Sequence, residues 1–437
     1  QQQDDRWVLA GLPKQETSDE DALDVLSGFG ELQLGSSVLL VTPKNKQSIR
    51  IPRVDLRLRV QGDILSVGMQ AESERGDTPL TLIAKLDRKE ISGKIWLGGK
   101  DLHIKNWVGL FPNLKAPTTK TNTELNIWAD IDQQRIMRVH SRIKIDDLRY
   151  DLPKKNIFDF AKHTIYKKIE AESMWQRNAT GWDWYIPKIS FVSERGEENL
   201  SNIRVQANQS NWKGQIDSIA LNPATVLMPL LKGQLPDLNS WIQKAQVTGQ
   251  LSGLKASGQN SIAQWSISGH AKQLGFNSIN KAPGLHDFSG TFVVDNQGGT
   301  FRFLNSKPQL DWPVSLGKPI SSVLDGSLIW WKSGSDWVLA ARNLHWQGEG
   351  LDITVDSQMQ LYQTGKAPML NLAADLKTFD FKTAKRYWLR HLMNESTIKW
   401  LDMALVKGEV RNASVVLSGD LSHWPFADKT GRFSART

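Results

Sequence analysis

The stretch "LDITVDSQMQLY", residues 351–362, decides how this chain is read. Leu351, Ile353, Val355, Met359 and Leu361 fall on one parity; Asp352, Thr354, Asp356, Gln358 and Gln360 fall on the other. Successive side chains of a strand point to opposite faces, so the pattern predicts a strand with one oily and one wet side. Similar stretches recur along the chain. "VDLRLRV" sets Leu56, Leu58 and Val60 against Asp55, Arg57 and Arg59. "ELNIWADI" carries Leu125, Ile127, Ala129 and Ile131, and "MRVHSRIKI" carries Val139, Ile143 and Ile145. "SNIRVQA" adds Ile203 and Val205, and "NASVVLSG" adds Val415 and Leu417. The question is what lies against the oily sides: a second layer of this protein, or something the protein carries.

Many short alternating strands between Gly, Asn, Asp and Pro clusters predict a mainly β, antiparallel architecture. A parallel α/β fold would need a helix between most strands, and the sequence offers few. Helices are expected near 19–27, capped by Ser18; near 223–244, opened by Asn222 and Pro223; and near 395–407, capped by Asn394 and closed by Gly408. The segment "AKHTIYKKIEAESMWQR" fits both periods and is read as strand, because "NATG" then turns the chain into the alternating "WDWYIPKISFV". Seams at 116–121, 194–199 and 306–319 divide the chain into four successive β segments: 1–115, 116–195, 196–320 and 321–437.

Composition narrows the function. With 437 residues, 40% hydrophobic and 23% charged, the chain is built to fold rather than stay disordered. No apolar run reaches the ~18–20 residues of a membrane-spanning helix. The start, "QQQDDRWVLAGLPKQETSDEDALDV", lacks the basic and apolar regions of a signal peptide and reads as a loop. The net charge of +8 is spread over the sequence, which fits solvated faces better than a nucleic-acid footprint. With no cysteine, disulfides, thiolate metal sites and Cys nucleophiles are excluded. The 18 tryptophans are the oddity; their large apolar rings with one polar N–H suit cores, interfaces and lipid–water boundaries alike.

Signatures of catalysis are missing: no G-x-S-x-G, no Walker A loop and no H-E-x-x-H. "GFGELQ" begins like a dinucleotide loop, but Gln33 occupies the third glycine position. The eight histidines are scattered singly. Asp130, Asp132, Asp146 and Asp147 either meet across a hairpin to hold Ca²⁺ or are solvated strand-end carboxylates. No cofactor, metal or catalytic residue is expected. Two readings of the oily sides stay open at this point: a closed β-sandwich core or an open apolar groove.

Several phrases carry a resemblance. Residues 384–435, "AKRYWLRHLMNESTIKWLDMALVKGEVRNASVVLSGDLSHWPFADKTGRFSA", resemble a characteristic stretch of the YhdP-type, AsmA-like proteins of Gram-negative bacteria. There an "HLM" segment precedes a "WLDMAL" helix, and a "G-x-V-x-N-A" strand leads to a "PF…GxF" ending. "SSVLLVTPKNKQSIRIPRVDLRL" is similar to a family strand pair with its "TP" turn and "IP" strand start. "KIWLGGKDLHIKNWVGLF" and "WDWYIPKISF" look like the W-L…D-L…W-L and W-x-x-x-I-P phrases. The resemblance covers essentially the whole chain, as an ordered set of phrases.

The resemblance implies an elongated, curled antiparallel sheet forming an open apolar groove. It implies a periplasmic segment of a bridge-like transporter that carries phospholipid between inner and outer membranes. An N-terminal anchor in the inner membrane would precede this chain, and envelope proteins are possible partners. The residues expected to touch acyl chains are Leu56, Leu58, Val60, Ile127, Ile131, Val139, Ile143, Ile145, Ile203, Val205, Leu351, Ile353, Val355, Met359 and Leu361. The competing expectations are a non-catalytic β-sandwich scaffold of the envelope and, third, a polysaccharide hydrolase with strand-borne carboxylates.

Overall fold

Alternation becomes strand wherever the sequence shows it. A computed structural model of the chain describes residues 2–3, 6–7, 30–41, 49–74, 76–107, 121–151, 163–193, 196–221, 241, 244–259, 264–280, 282–387, 398–399, 402–403, 406–423, 426 and 428–437. The chain divides into two units, Gln1–Gln209 with Val226–Gln234, and Ser210–Thr225 with Leu235–Thr437.

In the first unit, β1 (Gln2–Gln3) pairs with β2 (Arg6–Trp7). The main sheet follows as β3 (Glu31–Val41), β4 (Ile49–Gln61), β5 (Ile64–Glu72), β6 (Leu80–Asp87) and β7 (Ser92–Leu102). It continues through β8 (Asn122–Asp132), β9 (Arg135–Asp151), β10 (His163–Arg177), β11 (Gly181–Ser193) and β12 (Gly196–Asn208). From β3 to β12, each strand pairs antiparallel with the next in sequence. The ambiguous segment at 163–177 is strand, as read. One short helix, α1 (Ile104–Trp107), follows β7.

The second unit repeats the plan. Its strands are β13 (Asn211–Ala220), β14 (Thr248–Gln259), β15 (Trp265–Phe276), β16 (Gly284–Asp295), β17 (Gly298–Ser306) and β18 (Gln309–Asp311). Then come β19 (Ile320–Ser333), β20 (Asp336–Gly348), β21 (Leu351–Leu361), β22 (Met369–Asp380), β23 (Glu409–Asp420) and β24 (Arg432–Arg436). β17 and β18 share one sheet position between β16 and β19, interrupted at Lys307 and Pro308. A proline cannot donate to the ladder, so the strand breaks there. The helices α2 (Pro313–Leu316) and α3 (Phe381–Ala384) each make about one turn. Of the helix expected near 395–407, residues 398–399 and 402–403 are helical, 406–407 form a bend instead, and the others lie outside the described residues. The helix expected near 19–27 lies outside them too, as does most of 223–244.

The strands are not uniform. A transverse line of bulges crosses the second unit: ladder registers shift between Ala271 and Leu274, Phe303 and Ser306, Asp325 and Ser327, and Ala341 and Leu344. The residues inside the shifts take positive φ, among them Gln273 (48°), Asn305 (46°), Gly326 (114°) and Asn343 (45°). Bulges bend a strand and increase its twist, so this line is a crease. A neighbouring side chain secures several of the freed N–H groups: Asn343 N–H donates to Asp356 Oδ1 (3.1 Å) and Gln273 N–H to Ser289 Oγ (2.9 Å). In the first unit, Ser36 N–H donates to Asp55 Oδ1 at 2.6 Å. Pro187 of the "IP" phrase stands opposite Asn202, whose φ is 51°, so the missing donor and the kinked residue share one site.

Candidate functional site

Residues facing each other across an antiparallel ladder point to the same side, so the registers sort every strand into faces. In the first unit one row runs Leu32, Leu58, Val67, Ala84, Ile95, Ala129, Val139, Trp175, Trp184, Val205, one residue per strand from β3 to β12. Leu56 stands between Leu34 and Met69, and Val60 faces Leu65. Ile127 faces Leu97, Ile131 faces Gly93, Ile143 faces Leu125 and Ile145 faces Ile169. Ile203 faces Ile186.

The second unit has an equivalent row: Ala256, Ile267, Val294, Gly299, Trp330, Leu339, Met359, Leu370 and Gly419. Leu361 faces Trp337, Val355 lies between Leu344 and Ala374, Ile353 between Trp346 and Leu376, and Leu351 between Gly348 and Phe379. Each unit therefore carries its expected residues on one continuous apolar face. The ladders add residues that alternation alone had not singled out, notably Leu65, Val67, Met69, Leu82, Leu86, Trp175, Trp184, Leu370 and Leu372.

Burial of this face is incomplete. Of the fifteen expected residues, Val60 and Leu351 are buried, Leu361 is exposed and the other twelve are half-buried, whereas a core sealed by a second layer would bury most of them. Coverage is graded along the strands. On β11, Phe191 is 1% exposed at the end near β12's start, and Trp184 is 39% exposed toward the β10–β11 turn. On β21, Leu351 is buried and Leu361, at the other end, is exposed. Val60, at the end of β4 next to the β4–β5 turn, is buried against this gradient.

The covered margin is the one with long connections. There Trp107 of α1 closes over Ile51, Val54 and Ala71, with Leu39, Met69 and Leu80 against them. In the second unit Tyr387 meets Trp346 edge-on at 5.7 Å, and its hydroxyl donates to the Glu349 carbonyl (3.2 Å). Burial pushes that phenol's pKa up. The opposite margin carries mostly short turns, such as Gln133–Gln134, 178–180 and 334–335, with longer connections only at 362–368 and 421–431 among the described strands.

The other face of each sheet is mostly polar, and several of its charges are paired across strands. Arg57 and Arg59 reach Glu31 (2.9 and 3.3 Å), Arg142 reaches Glu172 (3.3 Å), and Lys188 reaches Glu197 (3.0 Å). His140 Nε2 lies 2.6 Å from Glu172 Oε1. Hydrogen bonds from Arg57, His140 and Lys188 hold Glu31, Glu172 and Glu197, respectively, below the usual carboxylate range. These exposed pairs add little stability each; they keep this side in water.

The four aspartates considered for Ca²⁺ do not gather. Asp130 faces Arg138, Asp132 faces Arg135 and accepts from Ser92 Oγ (2.9 Å), and Asp146 pairs with Lys144 (3.0 Å). Among the described residues no group of three His, Asp or Glu side chains is arranged to hold a metal. A hollow of about 720 Å³ on the first unit's wet side is lined by Trp128, Asp130, His140, Met174, Asp183, Tyr185 and Arg204, among others. Hydrogen bonds from Asn178 and Gln206 hold Asp183 below the ordinary range. Glycoside chemistry needs the opposite, a carboxyl kept protonated to serve as acid.

A family model described as "YhdP protein" matches residues 3–437. The chain is similar to the "Intermembrane phospholipid transporter YhdP" of Escherichia coli (strain K12), with 20% identity over 363 residues. That similarity covers 78% of this chain and 28% of the relative, so the chain spans little more than a quarter of the relative's length. No solved structure matches.

Proposed function

Because the chain belongs to the YhdP family, we propose that it is a periplasmic segment of a bridge-like lipid transporter, its apolar faces shielding phospholipid acyl chains between inner and outer membranes. The relative's name supplies the substrate class. The observation that carries the reading is the half-buried apolar face, continuous by register across each unit and backed by a charged side.

The energetics favour such a surface. A bare two-tailed lipid exposes some thirty methylenes in water, a cost on the order of 25 kcal/mol at ~0.8 kcal/mol each. A face that keeps the tails covered removes most of that cost without nucleotide, metal or catalytic residue. The headgroup stays in water. An inner-membrane anchor preceding this segment and envelope proteins at its ends complete the proposed arrangement.

Photo-crosslinking tests it. A photoactivatable residue at Ile353 or Leu58 should label phospholipid in cells, and one at Asp352 or Arg57 should not. Equal labelling from both faces, or none, removes the conduit and leaves an envelope scaffold.

A further inference from the structure

The apolar faces are not free of charge: one carboxylate, Glu198, faces Phe191 at the long-connection margin, and the cations fall at the opposite margin. Arg177 ends β10 and faces Trp182; Trp175 and Trp184 form the next pair on the same side, in the row with Val139 and Val205. The Arg177 guanidinium lies over the Trp175 ring, 5.8 Å from its centroid. In the second unit Lys332 faces Trp337, which faces Leu361, in the column next to Trp330, Leu339 and Met359. The Lys332 ammonium lies over the Trp337 ring at 5.5 Å. Both cations are exposed and neither has a carboxylate partner among the described residues; Arg177 Nε donates to the Ile136 carbonyl (3.2 Å), which leaves its terminal nitrogens to a ligand.

Each unit thus places a tryptophan-seated cation at the tight-turn end of its apolar face, the end that is least covered. The long-connection end is closed by apolar side chains. Tryptophan and stem-buried cations are what a boundary between hydrocarbon and water selects. An unpaired cation there complements a phosphate. The dimensions agree: β21 rises ~33 Å from Leu351 to Leu361 at ~3.3 Å per residue, more than the ~15 Å of one leaflet's hydrocarbon.

We infer that Arg177 and Lys332 bind the phosphate of the carried phospholipid, so that lipids lie across the strands in one orientation, headgroup at the tight-turn margin and tails toward the long-connection margin. This rests on the conduit reading above.

The absence of cysteine makes single labels specific. With a fluorophore on Leu361→Cys or Ile353→Cys, the full chain is incubated with vesicles containing phosphatidylglycerol that carries a nitroxide on its headgroup or at its chain terminus. The headgroup nitroxide should quench position 361 more than 353, and the chain-terminal nitroxide should do the reverse; equal or inverted quenching overturns the orientation. Separately, uptake of phosphatidylglycerol and of diacylglycerol from vesicles is measured by mass spectrometry. Arg177→Gln with Lys332→Gln should lower phosphatidylglycerol uptake about tenfold, the scale of losing charged hydrogen bonds, and leave diacylglycerol uptake unchanged. Arg177→Lys with Lys332→Arg should restore uptake. Unchanged phosphatidylglycerol uptake, or equal loss of both lipids, refutes the phosphate contact while the conduit stands. If the unaltered chain takes up neither lipid, the conduit itself fails.

Discussion

At Gly299 an added methyl group would lie 2.5 Å from Cζ2 of Trp330, and at Gly258 it would lie 2.7 Å from Nε1 of Trp212. Both glycines face a tryptophan across the ladder, so each ring lies flat over a bare backbone. Gly299→Ala should cost ~1–3 kcal/mol by overpacking, read as a lower urea midpoint with an unchanged slope. A second residue-scale device ties the β23–β24 connection. His423 Nδ1 and Asp428 Oδ2 share a very short contact, and Thr430 Oγ1 donates to Asp428 at 2.6 Å. The Thr430 bond and then the His423 bond lower Asp428 to about 2, and the Asp428 bond raises His423. The histidine's contribution is complete below its unfolded pKa and lost as pH rises through the raised folded value. The aspartate's is complete above its unfolded pKa and lost as pH falls toward about 2. The connection is therefore best held between about pH 4 and 6.5. NMR should find His423 titrating above its ordinary midpoint, and Asp428→Asn should return it there; an unmoved midpoint refutes the pairing.

At the scale of one strand, β21 predicts its own gradient. Leu351→Ala, at the covered end, should cost ~2–4 kcal/mol, whereas Leu361→Ala should cost under ~1 kcal/mol. Equal costs in chemical denaturation would mean that both ends are sealed. The bulges set another test: Asp356→Ala strips the acceptor from Asn343 N–H and should cost ~1–2 kcal/mol, and Asn343→Gly should be tolerated because glycine accepts the positive φ. The strands and faces were legible in the alternation of Leu351 to Leu361 and Leu56 to Val60. The bulges were not, because one inserted Asn, Asp or Gln looks polar on either side. A signal existed on β20: Trp337, Leu339 and Ala341 are odd, Leu344 and Trp346 even, and the switch falls at Asn343. Residues of β6 escaped notice because Ile83, 53% exposed on the wet side, breaks the alternation of Leu82, Ala84 and Leu86. Tryptophan could not be sorted by type: Trp330 lies on the apolar face, while Trp331 and the facing pair Trp96 and Trp128 lie on the wet one.

For the whole chain, occupancy of the apolar faces should appear as stability. A ligand that binds only the folded state at a hundred times its dissociation constant adds ~2.7 kcal/mol. Calorimetry with a short-chain phospholipid below its micelle concentration should raise the melting temperature, and Val355→Asp should abolish the rise while the chain stays folded. Unfolding of that variant would mark position 355 as sealed core. The resemblance in phrases such as "WDWYIP" and "PF…GxF" pointed to the family, and the structure gives two of them physical content. Pro187 stands at a kink, and the buried Phe426 fills the space that side chains at Gly419 and Gly431 would claim.

Among the described residues of each unit, strands neighbour only those close to them in sequence, with β17 and β18 as the one split position. Such wiring makes growth modular. A gene could gain or lose one β-ribbon without rerouting any other, much as a ladder is lengthened by rungs. The chain can then assemble in the order it is made, each new ribbon zipping onto the last, and its length can change by whole ribbons.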